Sequence, residues 1–155
     1  MPGILMGVDG SDHSRQALGW AMREAARHHL PLTVMSVRPA PPRPATHIFW
    51  NIPILPEDSH ALDQARAAVQ EFVDKVAHEV GEPVPDVAVA VVTGDPAEEL
   101  IRASHDADML IVGARGNGSF AKLLLGSVSS KVMHHSACPT VVVPGNRHVQ
   151  ASQRG

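Results

Sequence analysis

The chain holds a single cysteine, Cys138, among 155 residues, which excludes an intramolecular disulfide and fits a reducing compartment. It lacks any apolar run near the roughly 18 residues needed to span a bilayer. It also lacks an excess of charge of one sign. Thirteen Lys+Arg against sixteen Asp+Glu leave a formal net charge of −3, which argues against bulk electrostatic binding to DNA or an anionic membrane. The opening residues carry no basic stretch and reach Asp9 too early for a signal peptide, so a cytoplasmic protein is expected. What is present is ordinary: 44% hydrophobic and 19% charged residues suit one globular domain with a sizeable core.

Short apolar runs alternate with segments of helical period, the pattern of a parallel α/β sheet. Strands are expected at Ile4–Val8, Leu32–Val37, Val87–Val92, Asp108–Gly113 and Thr140–Val143. Between the first two, Ser11 suits an N-cap, and Ala17, Leu18, Ala21, Met22, Ala25 and Ala26 form one apolar face. From about Asp58, Leu62, Ala65, Val69, Phe72, Val73, Val76 and Val80 recur at threes and fours, and Gly81 and Pro83 end that helix. Asp95, Pro96 and Glu98 open another as N-cap, N1 and N3, and a last helix runs from about Ser127 to His135. Five prolines from Pro39 to Pro53, with Pro56 close behind, make residues 39–60 a long surface excursion. One domain over residues 1–146 with a loose tail at 147–155 is expected.

The first and fourth strands both end in small residues that open helices. Doubly wound sheets bind ligands outside the carboxyl ends of strands where the order reverses, so these two loops are expected to flank one crevice. The second, from Gly113 to Ser127, carries Gly113, Gly116, Gly118 and Gly126 with Arg115 and Lys122. It fits neither the dinucleotide fingerprint nor the P-loop. Glycines let backbone approach a ligand, Gly126-Ser127 stands at a helix N-terminus that favours an anion, and the cations offset a polyphosphate. The loop therefore reads as an anion site with room for a nucleotide; the plainer alternative is a long connector whose serine caps its own helix.

Gly113-x2-Gly116-x9-Gly126-Ser127 resembles the G-x2-G-x9-G-[S/T] pattern of ATP-binding universal stress proteins. The likeness extends to Val8-Asp9-Gly10-Ser11 and to Cys138-Pro139-Thr140-Val141-Val142-Val143, and spans residues 3–144. It implies a five-stranded parallel sheet of order 3-2-1-4-5 with helices on both faces. It further implies that Gly113, Arg115, Gly116 and Asn117 line the ribose–phosphate path. Gly126, Ser127, Val128 and Ser129 would receive the phosphates, with Lys122 as a further cation of the loop. Asp9 would lie near the phosphates and a Mg²⁺ carried with ATP, Gly7 would keep the pocket floor open, and Val37 would offer backbone to adenine. Many members dimerise through the last strand, here Thr140 to Val143, which is an uncharged edge open to pairing.

Other residues have plainer accounts. His134-His135-x-x-Cys138 tempts a metal reading, but adjacent histidines point about 100° apart on a helix and suit its C-terminus. His28-His29 has the same explanation, and Cys138 has no basic partner in sequence. A hydrolase needs a placed base, and none is identifiable, so any ATP turnover should be slow. An ATP-binding regulator made in response to stress, with a protein partner of unknown identity, is the expected function. Two other classes remain open. One is an adenylylating or pyrophosphatase-type enzyme, against which Asp9-Gly10-Ser11-Asp12-His13-Ser14 stands in place of a Ser-Gly-Gly-x-Asp-Ser or His-x-Gly-His motif. The other is a nucleotide-free interaction protein with structural glycines.

Overall fold

The structure, a computed structural model, describes residues 2–40, 59–81, 83, 86–115 and 125–145. The core of the expected proline-rich excursion, the loop residues Gly116, Asn117 and Lys122, and the C-terminal tail lie outside the described residues. In chain order the elements are β1 (Ile4–Val8), α1 (Asp12–His28), β2 (Leu32–Arg38), α2 (Ser59–Val80), β3 (Val87–Thr93), α3 (Pro96–Ser104), β4 (Met109–Gly113), α4 (Ser127–His135) and β5 (Thr140–Val143). The strands form one all-parallel sheet in the order β3-β2-β1-β4-β5.

The central strand explains why its sequence is apolar without alternation. β1 pairs with β2 (Ile4 to Leu32) and with β4 (Ile4 to Met109), and both of its faces are covered. Ile4, Met6 and Val8 join Leu32, Val34 and Ile111 beneath α1 and α2. Leu5 joins Leu110 and Val112 beneath Ala97 and Leu100 of α3 and Val132 of α4. Successive residues therefore serve opposite layers, as the two-residue period of a strand requires.

Boundaries shift by a residue or two from the sequence reading. β2 runs on to Arg38 and β3 to Thr93, because those two residues still pair, and Pro39 ends the ladder. β4 starts at Met109 rather than Asp108, whose N–H bonds to Gly3 O at 2.9 Å. The apolar stripe of α2 is less buried than its period implies. Val73 and Val76 are enclosed, whereas Leu62, Ala65, Val69, Phe72 and Val80 are half-covered. The helix packs on α1 and on the edge strand β3, so its stripe is covered from one side only.

Helix ends follow local chemistry. Ser11 Oγ accepts from Ser14 N–H at the start of α1. At its other end His29 takes a left-handed conformation (φ 54°), with His29 N–H bonded to Ala26 O and Leu30 N–H to Ala25 O. This is the six-to-one and five-to-two closure of a Schellman motif, with histidine where glycine is usual.

Candidate functional site

The sheet order reverses between β1 and β4, whose neighbours on the outer side are β2 and β5. The described residues at the carboxyl ends of these two strands, with the starts of α1 and α4, flank the candidate site.

The β1 wall is a tight, internally bonded turn. Asp9 Oδ1 accepts from Ser11 N–H (2.9 Å) and from Ser11 Oγ, and Gly10 sits at φ 79° with open space where a Cβ would be. This is an Asx turn closed by a left-handed glycine, so Gly10 is fixed by backbone and Asp9 by its own loop. Asp9 N–H in turn bonds to Oγ of Ser14, a buried residue of α1. Gly7, one step inside, has a packing reason: a Cβ there would lie 2.8 Å from Leu100 Cδ1, so the glycine lets α3 approach β1.

At the other wall β4 ends at Gly113, where a Cβ would come within 3.3 Å of both His13 O and Arg115 O. The first turn of α1 thus sits close against the end of β4. Gly126, the N-cap of α4, donates its N–H to Ala114 O at 2.6 Å. Its backbone (φ −73°, ψ 167°) suits any residue, and a Cβ would meet Ala114 O at an ordinary 3.4 Å. Glycine is therefore not required here by strain. Its effect is to leave α4 without a side-chain cap. The first intrahelical bond is Ser130 N–H to Gly126 O, so the amides of Ser127, Val128 and Ser129 precede the ladder, and among the described residues no side chain caps them. Such an end attracts an anion.

The expected site residues separate under this geometry. Ser127 is exposed and Val128 half-buried, as groups at a ligand-facing end can be. Ser129 is enclosed, and its hydroxyl lies 2.9 Å from Ala114 O and 3.1 Å from Gly126 O. Arg115 is half-buried just beyond Ala114. Val37 stands one residue past Ser36, the last β2 residue paired with β1, and is paired with Val92 on the β3 side. Two neighbours escaped the sequence reading. His13 backs onto Gly113 and brings Nδ1 to within 2.6 Å of where a Cβ on Gly145 would lie. Ser14 holds the Asp9 amide. A histidine and a serine in a first helical turn carry no sequence signal that separates them from surface residues.

Elsewhere, His134 Nδ1 is 2.8 Å from Ser130 O, so that ring is engaged with its own helix. Among the described residues no group of three or more His, Cys, Asp or Glu is placed to hold a metal ion. Burial pushes the Cys138 thiol above its ordinary value, with Asp108 adding to the rise and a backbone hydrogen bond from Leu110 opposing it. No described helix is long and apolar enough to cross a membrane.

The β4 wall has features that favour an anion: a helix start whose N-cap residue supplies no side-chain cap, no Cβ at Gly126, and Arg115 next to Ala114 in the chain. Asp9, whose Oδ1 accepts from both Ser11 N–H and Ser11 Oγ, stands at the exit of β1.

A sequence profile of the Universal stress protein family matches residues 2–144. A universal stress protein of Mycolicibacterium smegmatis is 36% identical over 153 residues, covering 93% of this chain and 48% of that protein. The chain spans about half the length of the curated relatives it matches. Among solved structures, the universal stress protein UspA from Lactobacillus plantarum has a TM-score of 0.70 at 25% identity, covering 92% of this chain and 97% of its own. A universal stress protein solved in complex with cAMP has a TM-score of 0.62 at 26% identity, covering 92% and 95%. The fold, the order of its strands and the extent of the sequence match agree: the chain belongs to the universal stress protein family.

Proposed function

We propose that the chain binds ATP with Mg²⁺ in the crevice between the β1 and β4 exits and acts as a nucleotide-dependent regulator in a stress response, with slow or no hydrolysis. The observation that carries this reading is the N-terminus of α4: a glycine that backbone strain does not demand supplies no side-chain cap, and among the described residues no side chain caps the amides of Ser127, Val128 and Ser129. Gly113, Arg115, Gly116 and Asn117 would run along the ribose and phosphates, with Lys122 adding charge and Val37 meeting the adenine. Asp9 would hold Mg²⁺. A nucleoside monophosphate is the second reading, favoured by the related universal stress protein solved with cAMP.

Denaturing purified protein and identifying the released nucleotide separates these readings, and its absence counts against both. Calorimetric titration of Gly126→Val tests the location. If the folded variant binds ATP as tightly as wild type, the site is elsewhere. A single-turnover assay with labelled ATP and Mg²⁺ tests the regulatory reading; turnover in the kinase range of about 1–100 per second would favour an enzyme.

The same proposal includes a cytoplasmic homodimer through β5. Thr140 to Val143 forms an edge of the sheet and carries no charge. A two-fold axis beside it would close that edge. Light scattering should show a dimer for wild type and a shift toward monomer for Val142→Lys, which sets like charges near the axis. A monomeric wild type would overturn this interface.

A further inference from the structure

The described part of the molecule buries three polar residues, all serines: Ser14, Ser104 and Ser129. Two of them occupy the same place in different units. Ser14 is the third residue of α1 after the N-cap Ser11, and Ser129 is the third residue of α4 after the N-cap Gly126. Each reaches back from its helix to the exit of the strand before it. Ser14 Oγ accepts from Asp9 N–H at 3.1 Å, one residue past β1. Ser129 Oγ donates toward Ala114 O at 2.9 Å, one residue past β4, and lies 3.1 Å from Gly126 O. The Ala114 carbonyl also receives Gly126 N–H, so strand exit, helix start and hydroxyl form one closed knot.

A hydroxyl so placed has a different task from a ligand contact. Ser129 is 2% exposed and its proton is directed to backbone carbonyls, whereas Ser127, two residues earlier, is exposed. Ser14 is 3% exposed and never reaches the surface of the Asp9 turn, yet it fixes the amide from which that turn starts. Burial of a hydroxyl is tolerated only when its hydrogen bonds are made, and among the described residues no buried side-chain polar atom lacks a partner.

We infer that Ser14 and Ser129 are a matched pair of positioning residues, each pinning one wall of the crevice by tying a helix start to the preceding strand exit. Neither hydroxyl touches the nucleotide. Ser14 sets where Asp9 stands, and Ser129 sets where the uncapped amides of α4 stand relative to β4. This rests on the nucleotide reading above and changes one part of it: Ser129 acts on the phosphates through the backbone rather than through its hydroxyl. A residue in contact with the β- or γ-phosphate would discriminate between ATP and AMP. A positioning residue alters the frame that every nucleotide uses.

The test uses Ser14→Ala and Ser129→Ala, with Thr at each position to retain the hydroxyl. Ser130→Ala serves as a control on the same helix. AMP and ATP with Mg²⁺ are titrated by calorimetry, melting confirms that each variant is folded, and amide exchange is followed at Asp9 and Gly126. Each Ala variant should lose about fivefold in affinity for AMP and ATP alike, the size of one neutral hydrogen bond. Exchange should quicken at Asp9 for Ser14→Ala and at Gly126 for Ser129→Ala, the Thr variants should restore both readouts, and Ser130→Ala should bind as wild type does. Weaker ATP binding with AMP unchanged in Ser129→Ala would make that hydroxyl a phosphate ligand and overturn the inference. Unchanged affinities in folded Ala variants would overturn it as well. A wild type that binds neither nucleotide would instead sink the nucleotide reading, and quickened exchange would then mark the two serines as pins of the fold alone.

Discussion

α3 and α4 lie in the same layer, pack on each other's neighbours in the sheet and are each nine residues long, yet they begin in opposite ways. α3 starts with Asp95, whose Oδ1 accepts from Glu98 N–H at 3.0 Å, followed by Pro96 at the first helical position and acidic residues in the first turn. Every one of those choices stabilises a helix start. α4 starts with Gly126, no side-chain cap and no acidic residue in its first turn. The difference separates a helix start closed by its own residues from one whose N-cap supplies no side chain, the place where the proposed ligand would complete it. Among the described residues, an end whose backbone geometry accepts any residue carries no side-chain cap, beside the point where the sheet order reverses.

That contrast can be broken most sharply by giving α4 the cap that α3 has. Gly126→Asp should lower nucleotide affinity by one to two orders of magnitude, roughly the loss of charge-assisted hydrogen bonds to the amides together with repulsion of phosphate. The same substitution should raise the stability of the nucleotide-free protein by a few tenths of a kcal/mol. Titration and melting of one variant thus move in opposite directions. If both fall, the glycine serves the fold after all.

The complementary experiment removes the cap from α3. Asp95→Ala should cost about 1 kcal/mol and lower Tm by about 2–4 °C, leaving nucleotide affinity untouched. A loss of affinity would mean that the two helix starts are coupled. The smallest effect belongs to the ion pairs that bridge them. Lys131 of α4 lies 3.9 Å from Asp95 and 3.6 Å from Glu98, and all three side chains are about half exposed or more. Lys131→Ala should change stability by no more than about 0.5 kcal/mol, and less in high salt. A loss above 1 kcal/mol in a denaturant titration would show that this surface network holds the layer together.

Much of the fold was legible because a doubly wound sheet writes itself plainly. Strands buried on both faces read as unbroken apolar runs, as in Ile4 to Met6 and Leu110 to Val112, and the helices between them keep their own period. Ser11 and Asp95 announced their helices through local chemistry that needs no tertiary partner. The stripe of α2 was legible as a face but not in its burial, since a sequence period tells which residues share a face and not how much protein lies opposite. The candidate site was legible as a motif and only partly as a mechanism. Gly113 and Gly126 stand out in sequence alike, but one abuts the carbonyl of His13 and the other has room for a side chain. Gly7 is tied to Leu100, ninety-three positions away, which no local pattern could reveal.

The sequence by itself determined the order of elements, the caps and the glycine spacing, because these depend on residues within a few positions of one another. Only the tertiary structure decided which small residues are crowded by their neighbours, as Gly7 is, and which, like Gly126, have room for a side chain. It alone brought Ser14 and Ser129 to the two strand exits, since a buried serine and an exposed one are the same letter until the protein around them is in place.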